Sequence, residues 1–173
     1  MPTIDIDFDW PRSLEYELAS SKGAPVIRQK SARLERCFPL REDGSLYLRF
    51  AQLDGSPAQC LAFARSWGFL YGPPKTLPGK GAEEEIDLWH HQIKFMRAWI
   101  QVCSSGLDGG GQTSGFRSRQ KIASVDVLLD VHPLGRRAVV LKPSSLMDAM
   151  MLQFAQAQAS NASIAACQKC GKT

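Results

Sequence analysis

The chain contains no run of eighteen apolar residues, which removes any transmembrane-helix reading. It also lacks a leader-like start: Met1-Pro-Thr-Ile-Asp-Ile-Asp is acidic where a secretory signal is basic and then apolar. Histidine is scarce, three in all, and His90 and His91 are adjacent, so on a helix they diverge by about 100° and cannot chelate one ion together. Neither H-x-x-x-H nor H-E-x-x-H spacing occurs, and there is no G-x-S-x-G nucleophile elbow. One glycine-rich stretch comes close to a phosphate loop, at Gly106, Gly111, Gln112 and Thr113. Glutamine stands there where the phosphate-binding lysine is required, and a helix precedes it where a strand should, so a flexible linker is expected. With no constellation to which catalytic roles can be given, these gaps argue against an enzyme.

What is present is ordinary globular material. A chain of 173 residues, 44% hydrophobic and 22% charged, makes one domain the default. At that length roughly 70% of the unfolded surface can be buried, so no covalent staples are needed. The net charge of +4 permits contact with nucleic acid without requiring it. Five cysteines is an odd number, and Cys37, Cys60 and Cys103 sit singly among apolar neighbours, as reduced core thiols do. Together with the leaderless start, this leads us to expect a soluble, cytoplasmic protein.

Only Cys167 and Cys170 have chemical spacing. Two thiolates three positions apart, followed by Gly171, form half of a zinc knuckle: the turn aims both sulfurs at one point, and glycine accepts the backbone angle that L-residues resist. Tetrahedral zinc needs four donors, and no second pair follows. Zinc is therefore expected only if a longer chain or another protomer supplies the remaining two ligands, and truncation after Thr173 is the expectation. A complete chain would leave a frayed tail, a disulfide-capable pair, or half of a site finished by a second copy.

Ile4, Ile6, Phe8 and Trp10 alternate with Asp5, Asp7 and Asp9, which predicts a strand ended by Pro11. Residues 12–42 are the most basic stretch and have weak periodicity; a solvated loop or short helix is expected, with a phosphate-contacting patch as the sharper alternative. Helices are expected over Leu46–Leu53 and after Ser56, where Ser56 suits the N-cap, Pro57 the first helical position and Gly68 the end. Pro73-Pro74 and Leu77-Pro78-Gly79 make a stiff connection. Glu83, Glu84 and Glu85 are expected to begin the longest helix, with carboxylates at the positive end of its macrodipole, and Ile86, Trp89, Ile93, Met96 and Ile100 on its apolar face. Val125–Val131 and Ala138–Leu141 predict a β-hairpin with a basic tip, which the 83–104 helix should cover. A last helix follows Pro143, with Leu146, Met150 and Phe154 on one face and Met147 and Met151 beside them as core filling. The expected fold is α+β: a helix-dominated single domain over 1–160 with a β-hairpin and an N-terminal strand, then a 161–173 tail carrying an incomplete zinc-ribbon start.

Pro143-Ser144-Ser145-Leu146, the helix containing Leu152-Gln153, and Cys167-x-x-Cys170-Gly171-Lys172 resemble a group of uncharacterised bacterial proteins with a helical N-terminal region and a C-terminal zinc ribbon. Phe63-Ala-Arg-Ser-Trp67-Gly68-Phe69-Leu70 is similar to another segment of that group. The layout is also similar to ABATE-domain proteins with a CGNR-type zinc finger, which are stress-linked transcription regulators. In that group the ribbon continues to a second cysteine pair, whereas here only the first is present. The resemblance implies a regulator whose helical domain senses or forms a homodimer, and the absence of catalytic constellations and long apolar runs adds that it is non-enzymatic and without a membrane partner. It would associate with nucleic acid through a ribbon whose metal ligands include Cys167 and Cys170. Arg117, Arg119, Lys121, Arg136, Arg137 and Lys169 are then the candidate phosphate contacts. A second class stays open, a small-ligand or protein-interaction domain whose metal site is purely structural.

Overall fold

The computed structural model describes residues 3–6, 8–72, 81–105, 125–131 and 137–160, and within them the chain is α+β: five strands, three helices, then a strand and a helix, and finally a hairpin and a helix. The largest departure from expectation is the N-terminal third. β1 (Thr3–Ile6) stops well before Trp10, and a second strand, β2 (Trp10–Ser13), runs through Pro11. The basic stretch is neither loop nor helix over most of its length: β3 (Tyr16–Ser21), β4 (Ala24–Gln29) and β5 (Leu34–Cys37) follow, and only α1 (Pro39–Glu42) is helical. β2 pairs antiparallel with β5, and β3 with β4. The β3–β4 turn is two residues, Lys22 and Gly23, both at positive φ (52° and 84°), the twist-matched geometry for a tight hairpin. Apolar alternation is faint here because burial does not alternate along β4 or β5, while charges pair across the strands. Arg12 meets Glu35, and Arg28 meets Glu83 at 2.7 Å. Neither proline breaks its strand. Pro11 lies in a two-stranded sheet, and Pro25 lies one residue beyond the part of β4 that pairs with a third strand.

That third strand is β6 (Glu83–Glu85), which corrects the expectation that these glutamates open a helix. Val26, Ile27 and Arg28 of β4 offer unpaired backbone edge to them, and the alternating pleat sends Glu83 and Glu85 outward and Glu84 inward. The long helix α4 (Ile86–Ser105) starts immediately afterwards and ends where expected. α2 (Leu46–Gln52) and α3 (Pro57–Trp67) also fall where the sequence puts them. Ser56 Oγ accepts the Gln59 amide proton at the start of α3, and Gly68 closes it at φ +91°.

The hairpin of β7 (Val125–Val131) and β8 (Arg137–Pro143) forms as predicted, its tip lying outside the described residues. It is not α4 that partners it. β8 pairs in parallel with β1, giving the order β1-β8-β7, and β8 also contacts α5 (Leu146–Ala159). One core runs beneath these elements. Phe50, Phe63 and Trp89 form an aromatic triangle with centroids 5.3 to 6.1 Å apart. Leu46, Ile93, Met96, Met147, Met150, Met151 and Phe154 are buried around it, each contributing roughly 1.5–3 kcal/mol by leaving water. Cys37 and Cys60 are buried free thiols and Cys103 is half-buried. No described helix is long and apolar enough to cross a membrane.

Candidate functional site

Cys167, Cys170, Lys169, Arg117, Arg119, Lys121 and Arg136 lie outside the described residues, so the expectations placed on them meet no geometry. Arg137 opens β8, where its backbone pairs with Val131. Among the described residues no group of three or more His, Cys, Asp or Glu is arranged to hold a metal. The adjacent histidines separate: His90 Nε2 meets the Gly55 carbonyl, and His91 is exposed. In the basic stretch Arg12, Arg28, Lys30 and Arg36 each lie within 4.0 Å of a carboxylate, and the Arg41 guanidinium sits 5.3 Å above the Phe38 ring. Those cations are matched to neighbours of the fold before any phosphate arrives.

The most constrained chemistry surrounds the segment after α3. Trp10 of β2 stacks on Phe8 at 5.4 Å and donates its indole N–H to the Phe69 carbonyl at 2.9 Å. Gly68 and Gly72 lie against the same ring. A Cβ on Gly68 would stand 3.1 Å from the Pro11 carbonyl oxygen and the indole, and one on Gly72 3.0 Å from the ring; both residues also hold positive φ. From the other side Glu84 reaches in from β6. Its Oε2 accepts the Leu70 amide proton at 2.9 Å and its Oε1 the Tyr71 amide proton at 2.8 Å. The Met147 amide at the start of α5 donates to the Leu70 carbonyl at 3.1 Å. Five residues, 68–72, therefore tie together β2, β6 and α5.

Glu84 is only 6% exposed, opposite fully buried Ile27 in the sheet register. Burial raises its pKa from 4.5 to about 7, against the opposing pull of the Tyr71 and Leu70 amides. The Trp89 indole N–H and the Gly72 amide add to that pull, the Trp89 contact falling outside strict hydrogen-bond geometry. Among the described residues the partners of this carboxylate are N–H groups and no cation. Such a group can gain and lose a proton near neutrality.

Sequence reasoning missed Glu84 because three identical residues hide a period-of-two pattern. A usable signal was Gly81 just before them, with Val26 and Ile27 waiting as strand partners.

A second feature is an open hollow of about 430 Å³ lined by Leu14, Glu15, Tyr16, Glu17, Lys30 and Arg65. The Arg65 guanidinium donates to the Tyr16 carbonyl at 3.2 Å, and Lys30 lies 3.7 Å from Glu17. Burial pushes the Tyr16 phenol up to about 12, so it stays protonated and offers no base at neutral pH. The cations on its rim are already engaged, Arg65 with the Tyr16 carbonyl and Lys30 with Glu17. No family model, curated protein or solved structure matches this chain.

Proposed function

We propose that the chain is a non-enzymatic, cytoplasmic regulator that associates with nucleic acid through a zinc ribbon begun by Cys167 and Cys170, the α+β core serving as its platform. The observation that carries this is the C-x-x-C-G spacing at 167–171, whose two soft thiolate donors suit zinc and leave two tetrahedral positions for other donors. A platform role is supported by how the core uses its buried polar side chains. Ser13 bonds the Glu15 and Ser31 carbonyls, Gln29 the Ser31 carbonyl, Asp43 the Ser45 amide, Glu84 the Leu70 and Tyr71 amides, and Gln153 the Asp43 carbonyl. Ser145 caps α5 by accepting the Asp148 amide proton at 3.0 Å. All six hold backbone in place, which is what a scaffold asks of its polar groups.

If a second protomer supplies the other two donors, one zinc per two chains and a homodimer are expected; if a longer chain supplies them, one zinc per chain. Arg117, Arg119, Lys121, Arg136, Arg137 and Lys169 would then contact phosphate. Metal analysis with sedimentation, on the natural chain and on Cys167→Ser/Cys170→Ser, tests the first part. Fluorescence anisotropy with labelled duplex DNA and RNA across a salt series tests the second, because affinity must fall as salt rises and the release of condensed counterions becomes less favourable. Absence of zinc in every oligomeric state, together with no binding to either nucleic acid at low salt, would sink the proposal.

The hollow beside Tyr16 favours a second reading, a small-ligand domain with a purely structural metal site. Its mark is binding of a small polar compound that survives loss of both cysteines and disappears on Arg65→Ala.

A further inference from the structure

Glu84 is the buried acid for which the described residues supply no cation, and it is enclosed by side chains that exclude water. Ile27, Leu70 and Trp89 are each 0% exposed. The groups that face it from each neighbouring element are few. β3 presents the Tyr16 phenol, β4 presents Ile27, α4 presents Trp89, and the 69–72 segment presents Tyr71, which also feels Asp148 of α5. The charged neighbours in the chain point elsewhere: Glu83 pairs with Arg28, and Glu85 is exposed. No positive charge from these elements offsets the cost of an anion in this enclosure, so separation of the 69–72 segment, which lets water in, favours ionisation.

We infer that Glu84 makes the 69–72 segment a proton-linked latch: opening the segment releases a proton, so the segment and the start of α5 bonded to it are held more firmly in acid than in alkali. The coupling to α5 runs through the Met147 amide, which gives its proton to the Leu70 carbonyl between the two latched amides. This inference concerns the core and stands independently of zinc or nucleic acid.

The sign follows from linkage. A carboxyl that titrates near 7 when enclosed and near 4.5 when open keeps its proton in the closed form over the interval between those values and loses it in the open form. Closure is therefore strongest below about 4.5 and weakens as pH rises through 7. Between pH 5 and pH 8 the opening constant should rise by about seventyfold.

Amide hydrogen exchange on the full chain, read by NMR, tests this. After removing the intrinsic tenfold rise per pH unit, the Leu70 and Tyr71 amides should gain roughly fiftyfold or more in opening between pH 5 and pH 8. Met147 should follow them, while Cys60 in α3 should not. In Glu84→Gln the gain should vanish, and in the exposed control Glu85→Gln it should persist. Because Glu84→Gln places an amide among amide donors and can fail to fold, carboxyl carbon-13 titration of the natural protein supplies an independent reading. One glutamate should titrate near 7, with the Leu70 and Tyr71 amide shifts moving at the same midpoint. A pH-independent opening constant in the natural protein, an equal gain in Glu84→Gln, or every glutamate titrating below 5.5 overturns the latch.

Discussion

At the scale of single residues, the fold depends on a few contacts that close over long sequence distances. Trp10 and Phe69 are 59 positions apart, yet the indole N–H is satisfied by that one carbonyl. Gly68 was legible as the end of α3, since helices often stop on a residue that accepts positive φ. Its second duty, lying flat on Trp10, was not legible, because nothing local in either stretch encodes the meeting. The two duties can be separated by experiment. Gly23 has a similar φ of +84° but open space where a Cβ would go. Gly23→Ala should therefore cost about 1 kcal/mol, from backbone strain alone. Gly68→Ala, whose Cβ would press on the Pro11 carbonyl and the indole, should cost about 2–4 kcal/mol. Urea midpoints at constant m-value measure both, and equal costs would mean the ring yields freely.

At the scale of elements, the helices were legible and most of the strands were not, for a physical reason. α2, α3, α4 and α5 bury one face each in a shared core, so apolar spacing and caps had to appear in the sequence. Of the strands between Trp10 and Cys37, β4 and β5 lack a regular in-out burial alternation, and cross-strand charges such as Arg12–Glu35 and Arg28–Glu83 look like loop composition when read singly. The β7–β8 hairpin was visible from its alternation, but its neighbour β1 was misjudged because parallel pairing between Thr3–Ile6 and 138–141 leaves no local mark. How α5 is held shows the same division. Its apolar face was read correctly, whereas Gln153 was noticed only as part of a motif. Gln153 donates to the Asp43 carbonyl at 2.8 Å and accepts from the Tyr47 amide at 3.3 Å, joining α5 to both ends of the α1–α2 connection. Gln153→Leu leaves two enclosed backbone groups without partners and should cost about 2–3 kcal/mol. Ser56→Ala removes an exposed N-cap and should cost about 1 kcal/mol. Thermal or urea unfolding of the two variants checks the order, and a larger loss from Ser56→Ala would contradict the role given to Gln153.

At the scale of the whole molecule, the five cysteines divide into classes that one measurement can separate. Cys37 donates to the Trp10 carbonyl and Cys60 is fully enclosed, and burial pushes both thiols up to about 11. At pH 8 both remain protonated, so neither can attack a thiol reagent until the core opens and gives it water and an ordinary pKa. Their reaction should therefore follow the opening of the core: slow in native buffer, and rising steeply with urea in step with unfolding. Cys103, half-buried rather than enclosed although burial raises its thiol too, should react sooner than either. The proposed function adds a distinct expectation for Cys167 and Cys170. Zinc coordination takes up their thiolates, so added zinc should slow modification of that pair while leaving Cys37, Cys60 and Cys103 unchanged. Pulse alkylation followed by peptide mass spectrometry, with and without zinc, assigns a rate to each thiol. Rapid labelling of Cys37 or Cys60 in native buffer would contradict the enclosed core. Zinc that protects no cysteine, or all five alike, would remove the metal role from Cys167 and Cys170 while leaving the core as described, so the two claims fail separately.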